Sequence, residues 1–264
     1  MHIFILCIII FTFSIANYII IFMEKIELKK RLADLRSVCE RSGRVTSGSF
    51  LTPAELYENA GCGAVFYGGY EDAERKIAVF LPEWMDAEDF DVSSCISCLE
   101  VQSYFGVPTH RDYLGAILGL GISRDRIGDI LVSGNRAYVI CLRSVGTAIV
   151  SDLDKVGRVS VRVREIPFAE LPAPERKTKT ISFTVKSPRL DAVASDIFGI
   201  SRSDAAQAIK QGLVTLNYYV TLKSDASVKE NDIISLRGKG KAVVSEIGGR
   251  SRRDRIFITA EIYV

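Results

Sequence analysis

Residues 187–240, SPRLDAVASDIFGISRSDAAQAIKQGLVTLNYYVTLKSDASVKENDIISLRGKG, constrain the fold more tightly than any other part of this 264-residue chain. Leu190, Val193, Ala194 and Ile197 recur at i, i+3, i+4, i+7, which predicts a helix with one buried side. A second helix opens at Ser201, with Asp204 three residues on as a variant of the capping box, and stops at Gly212. Strand-like runs at 213–216 and 232–236 follow, the second leading into Arg237, Gly238, Lys239, Gly240 and Lys241. Arg189 and Arg202 stand where the two helices begin. Helix N-termini with flanking cations attract phosphate oxygens, so the spacing points to RNA.

Charge distribution supports this independently. Residues 176–264 hold 16 Lys and Arg against 9 Asp and Glu, whereas residues 1–175 hold 18 against 23. A net of +7 on one part and −5 on the other places a nucleic-acid face on the C-terminal part of the chain. Arg250, Arg252, Arg253 and Arg255 follow a Gly-Gly pair and precede the alternating strand Ile256, Ile258, Ala260, Ile262, Val264. Such a basic hairpin tip either reaches a phosphate groove or guards an edge strand against aggregation.

The pattern Arg189-Leu190-Asp191, Ser201-Arg202-Ser203, Ile209, Gly212, Val214, Asn217, Asp232-Ile233-Ile234-Ser235 and Arg237-Gly238 resembles an S4 domain. That RNA-binding module uses an alpha-L helix pair to grip structured RNA by shape and phosphate. Upstream, Gly68-Gly69-Tyr70-Glu71 with Ala73-Glu74-Arg75-Lys76 resembles the YlmH family. So do His110-Arg111-Asp112-Tyr113-Leu114-Gly115, Gly119-Leu120-Gly121-Ile122, Arg124 and Ile127-Gly128-Asp129-Ile130. The likeness spans about residues 24–264. It implies an α+β chain in which an N-terminal α/β region and a ferredoxin-like RNA-binding domain precede a small α+β S4 domain.

It also implies a non-catalytic, cytoplasmic RNA-binding protein that associates with the large ribosomal subunit and peptidyl-tRNA, in quality control of stalled nascent chains. Structured RNA, rRNA and tRNA, is the partner implied, with no cofactor, metal or small-molecule substrate. The residues expected to form the RNA face are Arg189, Ser201, Arg202, Ser203, Lys210, Gln211, Asn217, Lys223, Arg237, Lys239 and Lys241. Asn217 suits a turn as well as a polar RNA contact.

Expected boundaries follow from composition and resemblance. Residues 1–22 form an uncharged apolar leader, 23–82 the N-terminal region, and 83–168 the ferredoxin-like domain. A linker occupies 169–180, where Pro172 and Pro174 precede a basic run, and the S4 domain occupies 181–264. Within these, helices are expected at 25–40, from Thr52-Pro53 onward, at 111–120 and at 144–155. Strands are expected at 64–67, 77–81, 95–101, 137–142 and 159–166. The leader is long enough to span a membrane but lacks the basic start and cleavage site of a secretory signal. Either it anchors the chain or translation begins at Met23; the likeness starting just beyond Met23 favours the second. A membrane is a partner only if residues 1–22 are translated.

Alternative chemistries find little in the residues. The alternative function is an RNA-modifying enzyme, of pseudouridine synthase or methyltransferase type, that holds substrate on the S4 module. Arg189-Leu190-Asp191 copies a pseudouridine synthase tripeptide, but no large domain follows it. Gly61, Gly63 and Gly68-Gly69 do not make a GxGxxG turn. His110-Arg111-Asp112 copies a kinase loop without the Gly-rich loop or catalytic Asn, and is read as a helix cap. The 6 cysteines are scattered, with one CxxC at Cys95 and Cys98, the pattern of a reducing compartment and buried thiols rather than zinc.

Overall fold

The computed structural model describes residues 2–172 and 178–263, with side chains from residue 22 onward. It divides into two compact units between Pro172 and Ala173, and strand and helix are mixed in both, an α+β chain.

In the first unit, helix α1 (His2–Ser42) is followed by β1 (Thr46–Leu51), α2 (Pro53–Glu58), β2 (Val65–Tyr67) and β3 (Lys76–Phe80). The strands pair antiparallel in the order β1-β3-β2. Leu28, Leu32 and Cys39 of α1 pack with Leu51, Ala78 and Phe80 against this sheet. The α2 start is legible in the chain: Thr52 accepts from the Glu55 amide and Glu55 reaches back to the Thr52 amide, a complete capping box with Pro53 at the first turn. The leader's side chains lie outside the described residues; among the described residues no helix is long and apolar enough to cross a membrane.

The unit continues through β4 (Ile96–Ser103), α3 (His110–Gly119), β5 (Ile127–Ser133), β6 (Arg136–Leu142), α4 (Arg143–Asp152), β7 (Lys155–Val156) and β8 (Val159–Ile166). All pairings are antiparallel and the sheet order is β5-β6-β4-β8-β7. Leaving aside the short β7, this is the βαββαβ topology of a ferredoxin-like domain. Both helices cover one face: Tyr113, Ile117, Val145 and Ile149 pack on Leu99, Val101, Val139 and Cys141. On the other face, Ile96 and Ile140 share a core with Phe50, Ile77 and Val79 of the small sheet. A 3-10 turn at Phe168–Glu170 then brings Phe168 and Leu171 over Cys98, Tyr138 and Ile166.

The second unit consists of β9 (Thr178–Val185), α5 (Leu190–Phe198), α6 (Arg202–Lys210), β10 (Val214–Leu216), β11 (Tyr219–Val220), β12 (Ile233–Leu236), β13 (Gly240–Arg250) and β14 (Ile256–Tyr263). Its sheet runs β11-β10-β12-β13-β14-β9, antiparallel throughout. The expected stripe is the buried one: Leu190, Val193, Ala194 and Ile197 pack with Ala205 and Ile209 of α6 on Val214, Ile234, Ala242, Val244, Ile258 and Ala260.

Strands β1, β5, β7, β9, β11 and β13 lie where the sequence reading placed none. β1, TSGSFL, hides behind its glycine and serines. β5 carries a bulge between Ile127 and Ile130, which breaks the two-residue alternation. β9 begins at Thr178, so residues 178–180, expected as linker, pair with Tyr263, Ile262 and Glu261 at the far end of β14. The remaining linker positions 173–177 lie outside the described residues.

Candidate RNA interface

The openings of α5 and α6 are brought together by one carboxylate. Asp191 is buried, its side chain 8% exposed, and ion-pairs with both expected arginines. Arg189 donates from Nε to Oδ1 at 3.3 Å and from Nη2 to Oδ2 at 3.2 Å, and Arg202 donates from Nη2 to both oxygens at 3.2 Å. Burial pushes the Asp191 carboxyl up, but the two guanidiniums outweigh it and hold it below the usual carboxylate range. The guanidiniums remain about half exposed, 41% and 57%. Two cations are thus fixed from behind by a shared anion while their outer edges face solvent. That arrangement preorganises donors for a phosphate at the positive ends of two helices.

The surrounding residues complete this corner. Ser201 caps α6, accepting from the Asp204 amide at 3.1 Å, and its hydroxyl lies 2.7 Å from that of Ser203. The segment carrying Lys223 passes beside the start of α5, where the Asp191 amide donates to the Ser224 carbonyl at 3.0 Å. Arg189, Ser201, Arg202, Ser203 and Lys223 therefore form one patch.

The other expected residues lie elsewhere. Lys210 and Gln211 end α6, about 13 Å along a nine-residue helix from Arg202. Beside them, the Arg237 amide donates to the Leu213 carbonyl at 3.0 Å, and Lys239 follows in the same turn between β12 and β13. These four make a second cationic corner at the opposite end of α6. Lys241 is on the wrong side of the sheet to join either: its neighbour Ala242 faces the helices, so alternation turns Lys241 to the other face, over the Tyr263 ring at 4.7 Å. Asn217 is a turn residue, not an exposed contact. Asn217 and Tyr218 have φ of 50° and 71°, the two-residue turn of a β10–β11 hairpin. The Asn217 amide donates to Asp232 Oδ1 at 2.8 Å and accepts from the Ile233 amide at 2.9 Å.

The basic hairpin tip is partly occupied by internal contacts. Arg250 pairs with Asp254 across the turn, and Arg255 is fastened to Thr184 of β9 through its hydroxyl and carbonyl. Arg252 and Arg253 are exposed at the tip. β14 is paired on both sides, with β13 and β9, so it is not an edge strand and the edge-guard reading does not apply; Arg255 instead ties β14 to β9.

Asp191 is the residue that sequence reasoning undervalued. The signal was present in Arg189-Leu190-Asp191, but the distance to Arg202 needs the fold.

In the first unit, the two sequence blocks that carried the YlmH likeness meet at Asp129. Its carboxylate accepts from the Tyr70 hydroxyl at 2.7 Å and from the amides of Glu74 and Arg75 at 2.7 and 3.1 Å. Arg75 in turn donates to the Ile127 and Phe50 carbonyls, and Arg124 to Ile127 and Gly128. Burial lowers the pKa of both guanidiniums, yet each is held by backbone carbonyls. The cleft at this junction, about 420 Å³, includes His110. Its charged groups join the small sheet to the large one, a structural task. Asp112 of the kinase-like tripeptide is bound into the cap of α3, accepting from Thr109, which holds its carboxyl low.

Cys98 and Cys141 are buried within the large sheet. Burial pushes Cys98 and Cys141 up to about 12, which keeps them protonated at neutral pH. Among the described residues there is no group of three or more His, Cys, Asp or Glu placed to hold a metal ion.

An α+β chain whose second unit bears a preorganised arginine pair at two helix N-termini has the build of an RNA-binding protein. Residues 86–170 match the family described as "Putative RNA-binding domain in YlmH". The chain is 29% identical over 232 residues, 86% of its length and 90% of the relative's, to "Ribosome-associated protein quality control protein P2" of Bacillus subtilis (strain 168). A solved structure, "Cell division protein ylmH from Streptococcus pneumoniae", covers 56% of this chain and 90% of its own at 22% identity and a TM-score of 0.44. The chain is thus similar to the YlmH-type proteins over residues 86–170.

Proposed function

We propose that this protein is a non-catalytic RNA-binding factor that acts in the cytoplasm on ribosomes carrying stalled nascent chains. In this reading the second unit is an S4-type module, and its grip is the Arg189–Asp191–Arg202 cluster. The observation that carries it is the pair of half-exposed guanidiniums fixed by one buried carboxylate at two helix openings. The matched RNA-binding domain and the ribosome-associated relative support the same assignment. Phosphate contacts of this kind position a protein on folded RNA without reading its sequence, which suits rRNA or tRNA on a large subunit. The non-catalytic reading is supported by the burial of Asp191, whose side chain is 8% exposed beneath the two arginines.

Sedimentation through sucrose gradients, with and without induced stalling, tests the proposal. The protein is expected to move with the large-subunit fraction, more so when stalling is induced. Material that stays at the top of the gradient under both conditions overturns it. Mass analysis of rRNA and tRNA from a deletion strain is expected to show every modification retained; a lost one would instead support an enzyme.

A further inference from the structure

The first unit carries a second surface with the chemistry of nucleic-acid recognition, distinct from the arginine pair. It lies at one end of the ferredoxin-like sheet, on and beside the face away from α3 and α4. Strand register defines that face: Arg136 pairs with Gln102 and Gln102 with Arg162, while in the next row Tyr138 pairs with Glu100 and Glu100 with Arg164. Most of the face is closed. Phe168 and Leu171 cover Cys98, Tyr138 and Ile166, so a broad stacking platform on the middle of the sheet is not available.

The Gln102 end stays open, and three turns converge there. The Ser103 hydroxyl donates to the Asn135 and Gly106 carbonyls, each at 3.0 Å, and Asn135 donates back to the Ser103 carbonyl at 3.3 Å. The Tyr104 amide donates to the Ser160 carbonyl at 3.2 Å, linking the loop to β8. These bonds hold in place a loop whose side chains are left out of the core: Tyr104 is 61% exposed and Phe105 83%. Arg158 in the β7–β8 turn and Arg162 on β8 are exposed beside it. Arg136 is also exposed, and the nearest buried carboxylate, Glu100, is already shared by Arg136 and Arg164.

Exposed aromatic rings on an anchored loop cost solvation and contribute nothing to this unit's packing. With arginines around them they offer what an unpaired RNA segment needs, rings for base stacking and cations for its backbone. A protein partner would be expected to prefer a less cationic rim. We infer that Tyr104 and Phe105, with Arg158 and Arg162, form a site for single-stranded RNA, which the protein holds in addition to the folded RNA gripped by its second unit.

Fluorescence anisotropy on the full chain tests this with two probes, a labelled oligoadenylate of about 12 nucleotides and a labelled tRNA. The double variant Tyr104→Ala/Phe105→Ala is expected to weaken oligoadenylate binding about tenfold or more and to leave tRNA binding nearly unchanged. Arg162→Ala is expected to weaken oligoadenylate binding several-fold and to flatten its salt dependence. Arg202→Ala is expected to do the reverse, so failure of one site is separable from failure of the other. Arg136 is kept, because its loss would remove one of the two cations paired with the buried Glu100. Unchanged thermal unfolding of each variant confirms that the fold persists. A parent that does not bind oligoadenylate, or a folded double variant that binds it as tightly as the parent, overturns the inference. So does a double variant that keeps both RNA affinities and loses only its migration with ribosomal subunits, since the loop would then dock protein.

Discussion

Asp191 sets the behaviour of the proposed RNA corner in the second unit at the scale of single residues. Because the carboxyl is held below its ordinary value, its contribution to stability is present above the unfolded-state pKa and is lost as pH falls through the folded one. Asp191→Asn is therefore expected to lower the unfolding free energy by about 1 kcal/mol at pH 7. The gap to the parent should close in acid, once the pH has fallen through the lowered folded-state value. Urea unfolding at pH 7 and in acid measures it, and a gap that persists in acid would sink the explanation. Arg202 acts outward instead. Arg202→Ala is expected to leave the unit folded, since half-exposed arginines add little stability. It should lower the slope of log affinity against log salt by roughly one unit, across many RNA sequences. Equal slopes for parent and variant on tRNA would remove this corner from the interface.

Between elements, the blocks that identify the chain serve as joints. Gly128 lies under the Phe50 ring, so an added Cβ would stand 2.6 Å from its Cε1. Gly68 is closer still to its surroundings, 2.2 Å from the Ala73 methyl and 2.7 Å from the Arg75 carbonyl. Gly128→Ala should displace the aromatic ring that shares a core with Ile96 and Ile140, costing about 1–3 kcal/mol. Gly115 has nothing within 4 Å of its Cβ position, so Gly115→Ala, within α3, should be neutral or stabilising. Thermal unfolding of the two variants is expected to move in different directions or by clearly different amounts; equal losses would refute the steric account. The helix starts at these joints were legible because capping is local: Thr52 with Glu55 and Thr109 with Asp112 lie three residues apart. Strand β5 was not, since its bulge removes the alternation by which strands are recognised.

For the molecule as a whole, the second unit depends on a strand that the sequence reading assigned in part to a linker. Every residue of β9 from Thr178 to Val185 pairs with β14, and Val185 belongs to the core with Ile181 and Phe183 packed on it. A fragment of residues 173–264 is expected to fold alone and bind tRNA. One beginning at residue 187 should be unfolded or aggregate, because it exposes the β14 edge and loses part of the core. Circular dichroism and size-exclusion chromatography of the two fragments decide this. Similar behaviour would show that β9 adds nothing. Limited proteolysis of the full chain is expected to cut first between the two units, near the boundary after Pro172.

Local rules account for what the sequence determined by itself. The stripe of Leu190, Val193, Ala194 and Ile197, the glycine stop after α6 and the concentration of cations in the C-terminal part each follow from spacing or composition, and together they define an α+β chain with a cationic C-terminal end. Tertiary structure decided which cations work together. Arg189 and Arg202 meet only because Asp191 is buried between them, whereas Lys241 is turned away by strand alternation and Asn217 is drawn into a hairpin turn. It likewise decided that Tyr104 and Phe105 stand outside the core, because three turns far apart in the chain converge and hold their loop open. Contacts set by pairing register and by distance across the fold have no local signature, and the chemistry of both sites resides in such contacts.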